Sequence, residues 1–182
     1  MRKVILSIAV AVLFSFVSSA QNYISKNATA NGYRNVETTP AIFEHQTEQY
    51  VMSWNYIKDE GSNTEYYYLT VMSNDQSAAW NVSIGDKLYL GLVLEDEYIE
   101  LSSFMEATPE AYETPYGTKY RTLAYYLIPS TAYDKLFKGF DRFKMDVRVN
   151  NSVPVRLAVK LPYSSIEHML MSYLEMMIAT GR

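Results

Sequence analysis

The sequence contains no cysteine. A disulfide-stapled scaffold, a thiolate metal site and a cysteine nucleophile are therefore excluded. Histidine is nearly absent. With only His45 and His168, a three-histidine zinc site cannot be assembled. Seven glycines, at 32, 61, 85, 91, 117, 139 and 181, make none of the spacings that cradle phosphates or form a hydrolase nucleophile elbow. Excess positive charge is missing too: the formal net charge is −4 and the pI near 5.2, so a strongly basic nucleic-acid binder is excluded. Apolar residues are not scarce. With 48% hydrophobic and 20% charged residues, disordered, collagen-like and coiled-coil compositions do not fit. What is abundant is tyrosine, 17 of 182 residues.

The longest apolar run, Val4 to Val17, follows Arg2 and Lys3 and leads into Ser18-Ser19-Ala20. A positive n-region, an apolar h-region and small residues at a cleavage site are the layout of a secretory signal peptide. The run is shorter than the ~20 residues that span a bilayer. Residues 1–20 are read as a cleaved signal, leaving no membrane span, and the protein as exported to the periplasm or the exterior. Export without cysteine points to a bacterial product that folds on its apolar core alone. The sequons at Asn27 and Asn81 are read as accidental.

Residues 21–40 show no sustained period and are expected to form an irregular arm or a leader strand; residues 41–182 are expected to form a single domain. From Gln49 the side chains alternate with the period of a half-buried strand. Tyr50, Met52, Trp54 and Tyr56 share one face, as do Tyr67, Leu69 and Val71 beyond the polar turn at 58–63. Trp80–Ile84 reads as a short strand. Leu88, Leu90, Leu92 and Leu94 alternate next, and the acidic turn Glu95-Asp96-Glu97 leads into a return strand from Tyr98. Met105–Thr118 is expected to be a long loop and Lys119–Ile128 a strand. A short helix, capped by Ser130 or Thr131 and stopped by Gly139, comes next. Then a strand with Phe143, Met145, Val147 and Val149 inward turns at Asn150-Asn151. It pairs with one carrying Val153, Val155, Leu157, Val159 and Leu161. Ser164-Ser165-Ile166-Glu167 fits a capping box, opening an amphipathic helix that ends at Gly181.

About eight alternating strands with no regular strand–helix alternation predict a mainly β fold. The expected architecture is an antiparallel β-sandwich with a short inter-strand helix and a C-terminal amphipathic helix. A lipocalin-like up-and-down barrel is the alternative, weakened by the missing Gly-x-Trp near the mature start and by the interrupting helix.

Gly85-Asp86-Lys87-Leu88-Tyr89-Leu90 and Leu94-Glu95-Asp96-Glu97-Tyr98-Ile99-Glu100-Leu101 form a hairpin pattern. Tyr126-Leu127-Ile128, Leu136, Lys144 and Arg148 follow it. Over residues 85–149 the chain resembles a group of small exported β-rich proteins of unassigned function common in Bacteroidota. The resemblance implies a β-rich fold and a bacterial envelope or secreted setting, and it carries no active site.

No catalytic residue, metal ligand or cofactor is predicted. Glu44, His45 and Glu48 match no recurrent metal spacing and are read as an exposed stretch; His168 is read as a solvated first-turn residue. The carboxylates Glu95, Asp96, Glu97 and Glu100 cluster at a hairpin tip. Glycoside hydrolysis needs two carboxyls facing each other, one of them in an apolar pocket, and a solvated tip supplies neither.

Charge is unevenly distributed. Residues 21–118 hold fifteen acidic and four basic side chains, whereas residues 119–182 hold five acidic and ten basic. With Phe143 and its alternates inward, Arg142, Lys144 and Arg148 face outward, as do Arg156 and Lys160 on the next strand. This face either pairs with acidic strands of the same chain or meets an anionic ligand through arginine forks and lysines. Tyr66, Tyr68 and Trp80 are candidate platforms for sugar rings or protein partners. The reading is an exported, non-catalytic binding or structural module recognising an anionic or protein partner of the cell envelope. A glycan-binding module using the exposed tyrosines is the first alternative and a carboxylate-dependent hydrolase the second.

Overall fold

A computed structural model describes residues 22–45, 48–75, 82–105, 107, 109–149 and 153–182. The expected signal (1–20), Trp80 and the Asn150-Asn151 turn lie outside the described residues. Eleven strands occur: β1 (Ile24–Ala30), β2 (Tyr33–Thr38), β3 (Ala41–His45), β4 (Glu48–Asp59), β5 (Thr64–Asp75), β6 (Val82–Leu92), β7 (Tyr98–Ser103), β8 (Pro109–Thr114), β9 (Gly117–Leu127), β10 (Phe140–Val149) and β11 (Val155–Lys160). A 3-10 turn at Ser130–Ala132 runs into helix α1 (Tyr133–Leu136), and helix α2 (Tyr163–Thr180) closes the chain.

All strands join one antiparallel sheet in the order β1-β2-β4-β5-β9-β7-β6-β10-β11, with β3 also on β4 and β8 also on β9. The sheet is open, with β1 and β11 at its ends. The fold is thus mainly β and antiparallel, as expected, and the closed lipocalin-like barrel is ruled out. β7 meets β9 over only two residue pairs, Ser102 with Leu127 and Ser103 with Tyr126. There the sheet folds back into two facing layers, β1–β5 with β8 and β9 against β6, β7, β10 and β11. Four strands separate β4 from β10 in the sheet order, yet their inner faces touch. The Phe143 ring lies 5.4 Å from that of Phe43 and 6.5 Å from that of Tyr50, and Phe140 meets Trp54 at 6.0 Å.

The period-2 reading locates the core. Tyr50, Met52, Trp54, Tyr56, Tyr67, Leu69, Val71, Leu88, Leu90, Leu92, Phe143, Met145, Val159 and Leu161 are all buried. Burying each large side chain contributes roughly 1.5–3 kcal/mol. Helix α2 buries Met169, Tyr173, Met176 and Met177 against this interior. The Trp54 indole N–H donates to the Met169 carbonyl at 2.8 Å, and the Tyr173 ring packs on Trp54 at 5.0 Å. Gly181 takes φ 85°; its amide bonds Ile178 O at 3.1 Å while that of Arg182 bonds Met177 O at 2.9 Å, a Schellman close. The last residue is held: Arg182 donates to Glu65 at 2.5 Å and lies over the rings of Tyr67 and Tyr133.

Several expectations are corrected. Among the described residues there are eleven strands rather than about eight. Residues 24–38, expected as an irregular arm, form the β1–β2 hairpin. Its two-residue turn is Asn31-Gly32, with φ of 54° and 80°, the left-handed pair that hairpin twist requires. The expected loop at 105–118 contains β8, which turns through Pro115-Tyr116 onto β9. Leu94, expected to continue the face of Leu88, Leu90 and Leu92, is 97% exposed: β6 ends at Leu92 and Leu94 occupies the turn at φ 61°. Val153 and Val155 are 82% and 64% exposed, so the outer end of the β10–β11 hairpin extends past the packed interior. The capping box is not formed. Helix α2 starts two residues earlier, with Pro162 in extended conformation as its N-cap, and Ser164 falls inside the first turn. Pro129, not Ser130 or Thr131, precedes the inter-strand helix.

Candidate functional site

The outer face of β7, β6, β10 and β11 is built around Arg142. Between Phe140 and Arg142 the β6–β10 register shifts, so both Phe140 and Phe143 point inward and Arg142 lies on the outer face opposite Gly91. The missing side chain at Gly91 lets the arginine cross β6: a Cβ there would sit 2.4 Å from Arg142 Cγ and 2.7 Å from Nε. Having crossed, Nε donates to the Tyr98 hydroxyl at 3.1 Å, Nη1 to Leu92 O at 3.3 Å and to Asp141 Oδ1 at 2.7 Å, and Nη2 to Glu95 O. Arg142 therefore clamps the β6–β7 turn and keeps little donor capacity for a ligand.

The same accounting sorts the other basic residues of 119–182. Arg121 pairs with Glu110, Lys135 with Glu97, Lys138 with Glu95, Arg156 with Asp146 and Arg182 with Glu65. Much of the charge asymmetry is thus absorbed within the chain, and the acidic hairpin tip is covered by lysines at and just beyond α1. Among the described residues, no carboxylate lies within ion-pair distance of Lys119, Lys144, Arg148 or Lys160. Three of these four stand on β10 and β11.

Lys144 and Lys160 flank a shallow depression of about 190 Å³ on this face. Its wall is Tyr98 and Arg142, and the small Ala158, in register with Lys144, leaves the space open. The Lys144 ammonium lies 4.2 Å from the centre of the Tyr98 ring. Lys144 and then Arg142, hydrogen-bonding the Tyr98 hydroxyl, hold that phenol below its ordinary pKa. Such a site supplies two ammonium groups and a polarised hydroxyl to an anion.

Arg148 lies elsewhere. With Asp86 and Asp146 it lines a cleft of about 360 Å³ floored by Ile84 and Val147. Arg156 sits over the Tyr89 ring at 5.2 Å with its fork on Asp146, so the predicted cationic set splits into a clamp, an ion pair and three cations without a carboxylate partner. Tyr66 and Tyr68 are on the opposite layer. Tyr66 is 49% exposed, whereas Tyr68 is half-buried in a cluster with Phe104 and Tyr125 at 5.7 and 6.1 Å. Tyr98, Ala158 and Gly91 were missed by sequence reasoning. The glycine inside a strand was the available signal, because it marks close approach of another group.

The tip carboxylates are poorly suited to acid catalysis. Hydrogen bonds from Lys135 and Lys87 hold Glu97 and Glu100 below the usual carboxylate range, whereas a general acid needs its pKa raised. Among the described residues no group of three or more His, Asp or Glu is placed to hold a metal ion. His168 is not the solvated residue expected: its Nε2 is 2.7 Å from the Thr39 carbonyl and its ring meets Tyr23 edge-on at 5.1 Å, pinning α2 to the β2–β3 bend. Among the described residues no helix is long and apolar enough to cross a membrane. No family model, curated protein or solved structure matches the chain.

Proposed function

We propose that this chain is an exported, non-catalytic binding module that recognises an anionic partner on the outer face of β10 and β11. One observation carries the reading. Lys144 and Lys160 flank the depression there, and Arg148 lines the neighbouring cleft on β10, all three with no carboxylate within ion-pair distance among the described residues, while the chain pairs most of its other late cations internally. Desolvated or neutralised charges are worth little to a new ligand; cations still free gain most from meeting one. The signal-like segment at 1–20 and the resemblance of residues 85–149 to exported proteins support the setting.

The test is binding to a polyanion such as dextran sulfate, measured against neutral dextran. The triple variant K144Q/R148Q/K160Q is expected to lose about tenfold or more in affinity, and the wild-type affinity to fall as salt rises. Equal binding by both proteins, with unchanged thermal stability, overturns the reading.

A second reading rests on a different patch. Tyr66 and Phe104, 49% and 52% exposed, frame the half-buried Tyr68 and Tyr125 on the outer face of the other layer. Flat rings of this kind suit sugar faces. Binding of a neutral glycan that Y66A abolishes, and K144Q/R148Q/K160Q leaves intact, selects it.

A further inference from the structure

β11 ends the sheet, and among the described residues no strand lies beyond it. Its backbone directions follow from one contact. The Leu161 amide donates to Asp141 O at 2.7 Å, so residue 161 faces β10. In an antiparallel ladder that direction alternates. Val159, Leu157 and Val155 therefore turn their amides and carbonyls toward β10. Arg156, Ala158 and Lys160 turn theirs to the open edge, and all three residues are exposed. The side chains of these three share the outer face, with cations at both ends and the small Ala158 between them.

This edge is selective. A second copy pairing through its own β11 around Ala158 would set Arg156 against Lys160, and like charges directly opposite are destabilising. The other free edges do not supply the complement either. β1, Ile-Ser-Lys-Asn-Ala-Thr-Ala, has no carboxylate; β8, Pro-Glu-Ala-Tyr-Glu-Thr, has one glutamate per face and begins with proline; and β3 has only Glu44. A strand from another polypeptide, with acidic residues at alternate positions, fits. Two of its carboxylates would stand opposite Lys160, which has no carboxylate partner among the described residues, and Arg156, whose guanidinium already holds Asp146 and contributes less. The third would pass over Ala158 into the depression beside Lys144.

We infer that β11 accepts an extended acidic polypeptide by strand addition, its backbone bonding Arg156, Ala158 and Lys160 and its alternate carboxylates lying over the cationic face. This rests on the anion-recognition reading and narrows it to a polypeptide held by main-chain hydrogen bonds.

The test uses a short capped peptide alternating glutamate with valine, titrated calorimetrically into the mature protein. A peptide of the same sequence, N-methylated at the amides that would bond β11, keeps the charge and removes those donors. Wild-type protein is expected to bind the first peptide at least tenfold more tightly than the second. The variant Ala158→Pro removes an edge donor without touching the bonds to β10, and edge strands tolerate proline there; it is expected to lose the same factor. Equal binding of both peptides overturns strand addition, as does undiminished peptide binding by folded A158P. Where A158P does not fold, the N-methylated peptide decides. Dextran sulfate separates the two levels: binding to it without binding of the peptide removes strand addition and leaves anion recognition. Binding of neither removes both.

Discussion

Replacing Gly91 with alanine is expected to destabilise the protein by about 1–3 kcal/mol, the usual cost of forcing extra volume into a packed contact. The backbone itself would accept alanine, because Gly91 is not among the glycines at positive φ. The conflict is with one side chain: the new Cβ would lie 2.4 Å from Arg142 Cγ, close to the root of the side chain, where rotation of the tip gives no relief. Arg142 must then leave its path over β6 and release Tyr98, Leu92 O and Glu95 O. At roughly 2–4 °C per kcal/mol for a chain of this length, the melting temperature should fall by several degrees. A double-mutant cycle isolates the cause. In an R142A background the clash is gone, so G91A should be neutral or stabilising by up to ~1 kcal/mol, because alanine narrows the unfolded ensemble. Urea denaturation of the four proteins yields the coupling. If G91A costs the same in both backgrounds, within ~0.5 kcal/mol, the glycine is not there for Arg142 and the account of this face fails.

Other outcomes are equally specific. Trp54→Phe should cost about 1–3 kcal/mol in urea denaturation, since it removes the donor to Met169 O and part of a ring that is 1% exposed; an unchanged midpoint would refute its role in fastening α2. Arg182 and Tyr56 hold Glu65 below its usual pKa. A depressed carboxylate stabilises above its unfolded pKa of about 4.3 and loses that stabilisation as pH falls through the folded value. The melting-temperature gap between wild type and E65Q should therefore be present at neutral pH and shrink in acid, and a gap that widens in acid would contradict it. Expressed from its first methionine in a Gram-negative host, the protein should be exported with Gln21 as its N-terminus by mass spectrometry; an intact Arg2-Lys3 segment on the exported protein would end the signal-peptide reading.

The inward faces of β4, β5, β6 and β10 were legible because each alternates residues of very different transfer free energy, so sidedness follows from period alone. Period does not say whether another layer lies opposite. That is why Leu94, Val153 and Val155 read as continuing the faces of their strands and prove exposed. β1 and β8 were illegible for the converse reason: none of their side chains is fully buried, so pairing is by backbone and leaves no apolar trace. The dipeptide Asn31-Gly32 was the overlooked cue. On the candidate face, orientation was readable but availability was not. Whether Arg142 or Arg156 is free depends on Glu95, Tyr98 and Asp146, and no spacing rule reports partners brought together by a bulge and a register.

The fold-back at Ser102 and Ser103 has a dynamic consequence. Among the described residues the seam between the leaves holds two ladder pairs, the Phe104 amide on Tyr125 O and the Tyr126 hydroxyl on Gly85 O, so much of what keeps them shut is the aromatic filling and the helix laid across both. Deuterium uptake should accordingly begin at Ser103 and Leu127 and spread along the spine, well before Trp54 or Leu69 exchange. The molecule opens like a book whose binding is weaker than the adhesion of its pages.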